Sequence, residues 1–376
     1  MKVLVLGAAG KAARAAIHSL LSLGGIEHIY LADHNAETLG KLAADLAHLP
    51  ASPRFIDAES ERSLRERIRE ADLVIGCLGP FHRYEGNIVR AAIAAGRDYL
   101  SLCDDPEAAE EAYSHDKEAR RSGVSILCGC GLTPGLSNLL ACRLGSRLPG
   151  VDAVEISWCQ EIGSALGTAT LEHLLHVYGV KVPLYQGGKV RRVRGGSWEE
   201  LVEFPPPMGW RAVGFLGHPE TLTLPRFMRG VLDISVKGGV DGRARGLALY
   251  SMAWMAEGWK REPWDTALRG AASGILRRGG GGCLSALRVE VTGRNGGSRQ
   301  RVILAVMEDY YRISGLVLAA AAAQWKNAAW PAGVHPPEGI LDHGKSLAWL
   351  RDKGVRFLVG EEKEEEKGIH HRSTRP

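Results

Sequence analysis

The sequence lacks any apolar run long enough to span a membrane, and it lacks a strong excess of either charge. Its longest apolar candidate, residues 313–323, is short and rich in alanine, which is typical of a buried helix. The 47 lysines and arginines nearly balance the 43 aspartates and glutamates, and the net charge of +4 is scattered along the chain. This composition gives no reason to expect a nucleic acid or a membrane as partner.

The sequence also has few cysteines and no recognisable leader. The seven cysteines are an odd number at irregular spacings, and Met1-Lys2 runs straight into an apolar stretch with no basic region or cleavage site. Both observations favour free thiols in a reducing cytoplasm, which is the predicted location. Cys128 and Cys130 do not have the usual spacing of zinc ligands, so no metal site is predicted and these cysteines are interpreted as small buried hydrophobes.

The first 135 residues alternate between short apolar runs and helical patterns. The predicted strands cover residues 3–6, 28–32, 54–56, 73–77, 99–102 and 124–127. Because parallel strands need crossover helices between them, this alternation predicts an α/β fold with a doubly wound parallel sheet of the Rossmann type. A chain of 376 residues is too long for one compact core, so a second domain is expected.

The pattern changes after residue 135. Half-buried strands, with helices that include residues 244–256 and 264–277, predict an α+β substrate or dimerisation domain over residues 136–312. A hairpin turn is predicted at Asn295-Gly296-Gly297. Residues 313–360 are expected to form C-terminal helices that return to the Rossmann domain. The charged and polar segment 361–376 is interpreted as a disordered tail.

A glycine motif, Gly7-x-x-Gly10-x-x-Ala13, lies between the first predicted strand and the first predicted helix. One glycine permits a tight turn, another lets the backbone approach a pyrophosphate, and a small third residue lets strand and helix pack closely. The helix N-terminus would present free N–H groups to the phosphate. The motif therefore predicts a dinucleotide site that includes Ala9 and Lys11, with a plain strand–helix turn as the alternative.

Asp33 ends the second predicted strand, where a carboxylate would bind the adenosine ribose hydroxyls and repel a 2′-phosphate. This position favours NAD over NADP, although NADP stays open and Asp33 could instead cap the next helix. Further positions follow the third, fourth and fifth strands, along the expected path of the cofactor. They are Asp57, Ala58, Leu78, Gly79, Pro80 and Cys103.

Five longer segments occur in order along nearly the whole chain. They are GPF at 79–81, DYLSLCDD at 98–105, GCGLTPGLSN at 129–138, HPETLTLPR at 218–226 and GVHPPE at 333–338. Together they resemble the saccharopine dehydrogenase family, including its lysine 6-dehydrogenase-like members. The resemblance implies oxidation of an amino-acid C–N bond by a pyridine nucleotide, or the reverse reductive condensation. It also implies a discontinuous Rossmann domain and commonly a homodimer.

Amine oxidation by hydride transfer needs a base and usually a cation that fixes the substrate carboxylate. Asp104 and Asp105 follow the fifth strand, at the sheet edge where ligands bind, so one of them could be the base. The alternative is that they cap the helix that begins at Pro106. His218 is a second candidate for proton transfer, or a structural histidine. Arg226 is the candidate carboxylate clamp.

The leading hypothesis is therefore an NAD(P)-dependent dehydrogenase that acts on an amino acid or opine-type small molecule. One alternative is a Rossmann isomerase or epimerase, which the absence of a Tyr-x-x-x-Lys pair from the expected helix disfavours. The other is a non-catalytic NAD(P)-binding regulator or assembly factor. Such a protein would keep the glycine loop and lose the acids of the cleft, whereas Asp104, His218 and Arg226 are present here.

Overall fold

The computed structural model describes residues 1–161, 167–242, 246–248, 250–252, 274, 282–295 and 298–364. The tip of the predicted hairpin at 296–297, most of the predicted helices at 244–256 and 264–277, and the chain after residue 364 lie outside these ranges. Among the described residues, no helix has both the length and the apolar character that crossing a bilayer requires.

The first domain is built on a seven-stranded sheet whose paired strands all run parallel. Its strands are β1 Lys2–Leu6, β2 His28–Asp33, β3 Ala51–Phe55, β4 Leu73–Gly76, β5 Asp98–Ser101, β6 Ser125–Cys128 and β15 Gly333–His335. The order β15-β6-β5-β4-β1-β2-β3 reverses between β1 and β4, which creates the crevice where open α/β sheets bind ligands. The predicted doubly wound sheet is confirmed.

Helices cover both faces of this sheet, so a strand such as β1 is buried from Val3 to Leu6 and contains only apolar residues there. Asn35, Ser60 and Asp105 accept backbone N–H groups at the starts of their helices. The helices are α1 Lys11–Leu21, α2 Ala36–Asp45, α3 Glu61–Ile68, α4 Phe81–Ala95, α5 Pro106–Ser114 and α6 Asp116–Ser122.

The second domain contains a nine-stranded mixed sheet. Its strands are β7 Gly150–Gln160, β8 Lys181–Gln186, β9 Lys189–Arg194, β10 Glu200–Phe204, β11 Gly209–Phe215, β12 Asp233–Val240, β13 Leu284–Asn295, β14 Ser298–Asp309 and β16 Phe357–Glu364. Strands β12 and β7 pair in parallel, and the other pairs are antiparallel. The helical segments are α7 Leu136–Gly145, α8 Thr168–Gly179, α9 Glu220–Thr223 and the 3-10 helix Leu224–Arg226.

The chain then returns to the first domain. Helix α10, Tyr310–Asn327, packs so closely on α1 that a Cβ added at Gly315 would lie 2.6 Å from the backbone nitrogen of Ala16. After α10 the chain adds β15 to the edge of the Rossmann sheet, and α11 Pro337–Ile340 and α12 His343–Asp352 follow. The strand β15 was not predicted. Strand β16 extends to Glu364, into the segment interpreted as a tail, because it pairs with β14 in the second sheet.

Candidate active site

A cavity of about 200 Å³ lies at the carboxyl ends of β4, β5 and β6, where the two domains meet. The first domain contributes the start of α1 and the loops that follow these strands, including Gly79 and Pro80. The second domain contributes α8, and the returning helix α10 contributes its first turn with Tyr310 and Tyr311. The cavity therefore occupies the edge of the sheet where a parallel α/β domain binds its ligand.

The glycine loop has the geometry that a pyrophosphate needs. Gly7 has φ +74°, and a Cβ there would lie 2.7 Å from the carbonyl oxygen of Cys77, so this position requires glycine. Gly10 is the N-cap of α1, and the first turn, Gly10 to Ala13, lines the cavity. The predicted loop residues Gly10, Lys11 and Ala13 thus present a helix N-terminus to the cavity, which fits the phosphates of a dinucleotide.

Asp33 stabilises this loop. Its carboxylate is 5% exposed, Oδ2 accepts a hydrogen bond from the backbone N–H of Ala9 at 3.1 Å, and Oδ1 accepts one from the N–H of Asn35 at 3.1 Å. Helix α2 is capped by Asn35 and not by Asp33. Oδ1 also lies 3.2 Å from His34 Nδ1, whereas Oδ2 keeps a second lone pair to which a ribose hydroxyl could donate.

Of the other predicted cofactor positions, only some line the cavity. Gly79 and Pro80 line it, whereas Ala58 and Leu78 are buried in the apolar core on one face of the sheet. Asp57 is exposed after β3, and its Oδ1 accepts the backbone N–H of Glu59. Cys103 is fully buried, and its Sγ lies 3.7 Å from the carbonyl oxygen of Asp105. It is not among the described residues that line the cavity.

Asp104 lines the cavity and is paired with His173 of α8. The distance between Asp104 Oδ1 and His173 Nδ1 is 3.4 Å. Burial raises the pKa of Asp104, although the positive charge that His173 can carry opposes this effect. Asp104 Oδ1 and His173 Nε2 are both buried and have no hydrogen-bond partner in the described part of the chain. Asp104 and His173 both line the cavity, and unsatisfied polar atoms in residues of a cavity wall are typical of sites that bind a polar ligand.

His218 lies behind His173 and has a defined tautomer. Thr133 Oγ1 donates to Glu220 Oε1 at 2.5 Å and lies 3.1 Å from His218 Nδ1. Because a hydroxyl has one hydrogen, His218 Nδ1 must carry the proton and donate to Thr133. The ring also stacks on Trp158 with centroids 5.6 Å apart. Burial lowers the pKa of His218 to about 3, so the expected titration near neutral pH is absent from this buried ring.

A buried polar network connects three of the five segments that carry the family resemblance. Glu220 Oε1 also accepts from Ser137 Oγ at 2.6 Å. Asn138 Nδ2 donates to Glu338 Oε2 at 2.9 Å, and burial raises the pKa of Glu338 to about 7. These contacts join segments 129–138, 218–226 and 333–338, and so they fix the position of Thr133 at the cavity wall.

The candidate clamp Arg226 lies in the 3-10 helix and is not among the described residues that line the cavity. Lys11 does line it, and its Nζ lies 5.6 Å from the ring centroid of Tyr311. The structure thus places Asp104 at the cavity and His218 behind His173, whereas Arg226 is not in the described cavity wall.

His173 is the main residue that sequence reasoning missed. Helix 168–179 also carries His176, and residues three apart share one helix face, so this spacing was a usable signal. Thr133, Tyr310 and Tyr311 gave no such signal, because only the tertiary fold brings them to the cavity.

Comparison with known protein families identifies the first domain. Residues 3–127 match the family model of the saccharopine dehydrogenase NADP binding domain. The chain is 35% identical over 78 residues to a lipid droplet localized protein of Caenorhabditis elegans, covering 20% of this chain and 18% of that protein. It is 34% identical over 86 residues to a probable mitochondrial saccharopine dehydrogenase-like oxidoreductase of Arabidopsis thaliana, covering 22% and 19% respectively. The chain thus spans less than a fifth of either relative.

Two further matches cover more of the chain. The chain is 28% identical over 145 residues to a putative trans-acting enoyl reductase of Mycobacterium tuberculosis, covering 36% of this chain and 33% of that protein. The structure of saccharopine dehydrogenase (L-Glu forming) of Saccharomyces cerevisiae covers 97% of this chain and is itself covered completely, with a TM-score of 0.70 and 13% identity. That likeness confirms the two-domain fold. By this family match, residues 3–127 are similar to the NADP binding domain of saccharopine dehydrogenases, which agrees with the glycine loop described above.

Proposed function

We propose that the protein is an NAD(P)-dependent dehydrogenase that oxidises a C–N bond of an amino acid or opine-type substrate, or forms that bond in the reverse direction. The observation that carries the proposal is the Asp104–His173 pair, which has unsatisfied polar atoms and lines the same cavity as the N-terminus of α1. A dehydrogenase needs a proton acceptor and a dinucleotide site side by side, and this cavity offers both.

The residues around α1 fit the cofactor. The first turn of α1 and its capping Gly10 would hold the pyrophosphate, and Gly79 and Pro80 line the cavity beside it. Lys11 supplies a positive charge on the same side. When bound, the nicotinamide supplies the hydride acceptor, and the protein supplies orientation and proton transfer.

Asp104 and His173 would have different roles in proton transfer. His173 Nδ1 faces Asp104, so Nε2 is the nitrogen that can take a proton from a substrate amine or from an attacking water. The 3.4 Å contact is longer than a good hydrogen bond, as catalytic contacts often are before a substrate binds. When it shortens, the carboxylate of Asp104 would orient the ring and stabilise the imidazolium that forms. Asp104, which the sequence offered as the base, would then act through His173.

The choice between NAD and NADP rests on Asp33. Its buried carboxylate lies next to the glycine loop, where it can bind ribose hydroxyls and repels a 2′-phosphate. We therefore keep NAD as the preferred cofactor. Separate titrations with NADH and NADPH test this choice, and tighter binding of NADPH would reject it.

The test of the function is NAD(P)H formation at alkaline pH with lysine, saccharopine and other diamino or opine acids. Asp104→Asn and His173→Gln should each lower turnover by about 100-fold or more, because general acid–base catalysis typically contributes that much. Both variants should keep the cofactor Kd. The exposed residues Asp45 and His48 provide matched controls, Asp45→Asn and His48→Gln, which should retain activity.

Two results would reject the proposal. The first is unchanged turnover in both Asp104→Asn and His173→Gln. The second is that no C–N substrate gives NAD(P)H while an enoyl thioester is reduced. That result would favour the chemistry named for the mycobacterial relative.

A further inference from the structure

Beside the cavity, two histidines from different elements face the same carboxylate. His82 lies in the first turn of α4, Asp105 is the N-cap of α5, and His176 lies on α8 of the second domain. His82 Nδ1 and His176 Nε2 are each 3.5 Å from Asp105 Oδ2. All three atoms lie within 4.8 Å of one another. None of the three residues has a part in the proton transfer proposed above.

The distances suit a shared ion better than hydrogen bonds. N–H···O hydrogen bonds span about 2.7–3.2 Å, so 3.5 Å is too long for a good one. Zinc binds nitrogen and carboxylate oxygen at about 2.0–2.1 Å, so two ligands of one tetrahedral ion lie about 3.3 Å apart. The observed N···O separations are within a few tenths of an ångström of that value. The two imidazole rings stack with centroids 4.2 Å apart and planes 18° apart, so one ring must rotate for both nitrogens to face the same ion.

The carboxylate is buried and fixed in orientation. The Asp105 side chain is 1% exposed, and its Oδ1 accepts backbone N–H groups from Glu107 and Ala108 at 3.0 and 3.1 Å. Oδ2 points toward the histidines, and neither Oδ2 nor His82 Nδ1 has a hydrogen-bond partner within the described ranges. Ligating carboxylates are commonly held in this way through their second oxygen.

The donor set selects the class of ion. Two imidazole nitrogens and one carboxylate are typical ligands of zinc and of other first-row divalent metals, whereas calcium and magnesium prefer all-oxygen sites. Glu107 Oε2 lies 4.0 Å from His176 Nε2 and is available at the exposed rim as a further ligand. His82 and His176 are 25% and 23% exposed, which gives an ion a path from solvent.

We propose that His82, Asp105 and His176 form a zinc-type divalent metal site that joins the two domains beside the cavity. A bound ion would tie α8 to the starts of α4 and α5. His173 lies one turn before His176 on α8, and Asp104 precedes Asp105, so the ion would hold these two cavity residues opposite each other.

The test uses the whole protein, stripped with a chelator and titrated with zinc in competition with a chromophoric indicator. We expect one equivalent bound per chain. The variants His82→Gln, His176→Gln and Asp105→Asn should each weaken zinc binding by at least tenfold. Asparagine keeps the capping oxygen of Asp105, so that variant should still fold. His48→Gln, at an exposed position, is the matched control and should bind like the wild type.

Two further measurements identify the ligands and distinguish the loss of a ligand from the misfolding of a variant. Zinc should raise the Tm of the wild type, and it should not raise the Tm of folded ligand variants. Cobalt in place of zinc should give visible d–d bands without a thiolate charge-transfer band. The absence of stoichiometric binding, unchanged affinity in all three ligand variants, or a thiolate band from the buried cysteines would each overturn the proposal. These readouts do not depend on turnover.

Discussion

The requirement for glycine at position 7 gives a quantitative test of the cofactor loop. In Gly7→Ala the new Cβ would lie 2.7 Å from the carbonyl oxygen of Cys77 and 2.9 Å from Leu78 Cα, which are both backbone atoms. The left-handed conformation alone costs a non-glycine residue about 1–2 kcal/mol. Displacing packed backbone adds about 1–3 kcal/mol, so unfolding should become easier by about 2–5 kcal/mol.

Gly24 separates these two contributions. It has φ +67°, close to the φ of Gly7, and a Cβ there would meet no atom of the described residues within 4 Å. Gly24→Ala should therefore lose only about 1–2 kcal/mol. Urea unfolding gives both values, and titration with NADH should show at least about tenfold weaker binding for Gly7→Ala alone, because its loop must shift. Equal destabilisation of the two variants, with unchanged cofactor binding, would refute the reasoning.

Three further predictions follow from buried contacts. Burial raises the pKa of Glu338 to about 7, so folding favours its protonated form. The resulting stabilisation of the folded state is fully present below the unfolded pKa and is lost as the pH rises through 7. Glu338→Gln should match the wild type in urea at pH 4.5 and exceed it by up to about 3 kcal/mol at pH 8. Gly315→Ala should lose about 1–3 kcal/mol because its Cβ would meet the backbone of α1. The matched control for Gly315→Ala is Gly40→Ala, in open space on α2, which should instead gain about 0.5–1 kcal/mol in the same unfolding assay. Thr133→Val removes the partner of His218 Nδ1 and one of the two hydrogen bonds to Glu220 Oε1, so it should lower the Tm, whereas Thr133→Ser should retain it.

Most of the first sheet could be predicted because its strands carry their own signal. Strands such as β1 and β4 are short apolar runs that are buried on both faces. Strand β15 is different, because it has three residues in a proline-rich stretch and exists only through its pairing with β6, far away in the chain. Local patterns do not contain such a pairing.

The site was predictable where its residues act locally. The cap at Asp105 followed from the adjacent proline, and the glycine loop followed from its motif. The Asp104–His173 pair depends on how α8 of the second domain meets the loop after β5, which no local pattern contains. The pKa of His218 was missed for the same reason, since it depends on burial beneath Trp158 and His173.

Both adjacent aspartates were candidates for the base in the sequence, but their surroundings in the fold differ. For Asp105, burial would raise the pKa, yet His82, His173 and His176 together lower it to about 2, so it remains a fixed negative charge. For Asp104, burial dominates, and the neighbouring charge of Asp105 raises its pKa further. Opposite shifts in neighbouring carboxyl groups are typical of sites that assign them different roles. Asp105 therefore suits a structural or metal-binding role, and Asp104 suits proton exchange with His173.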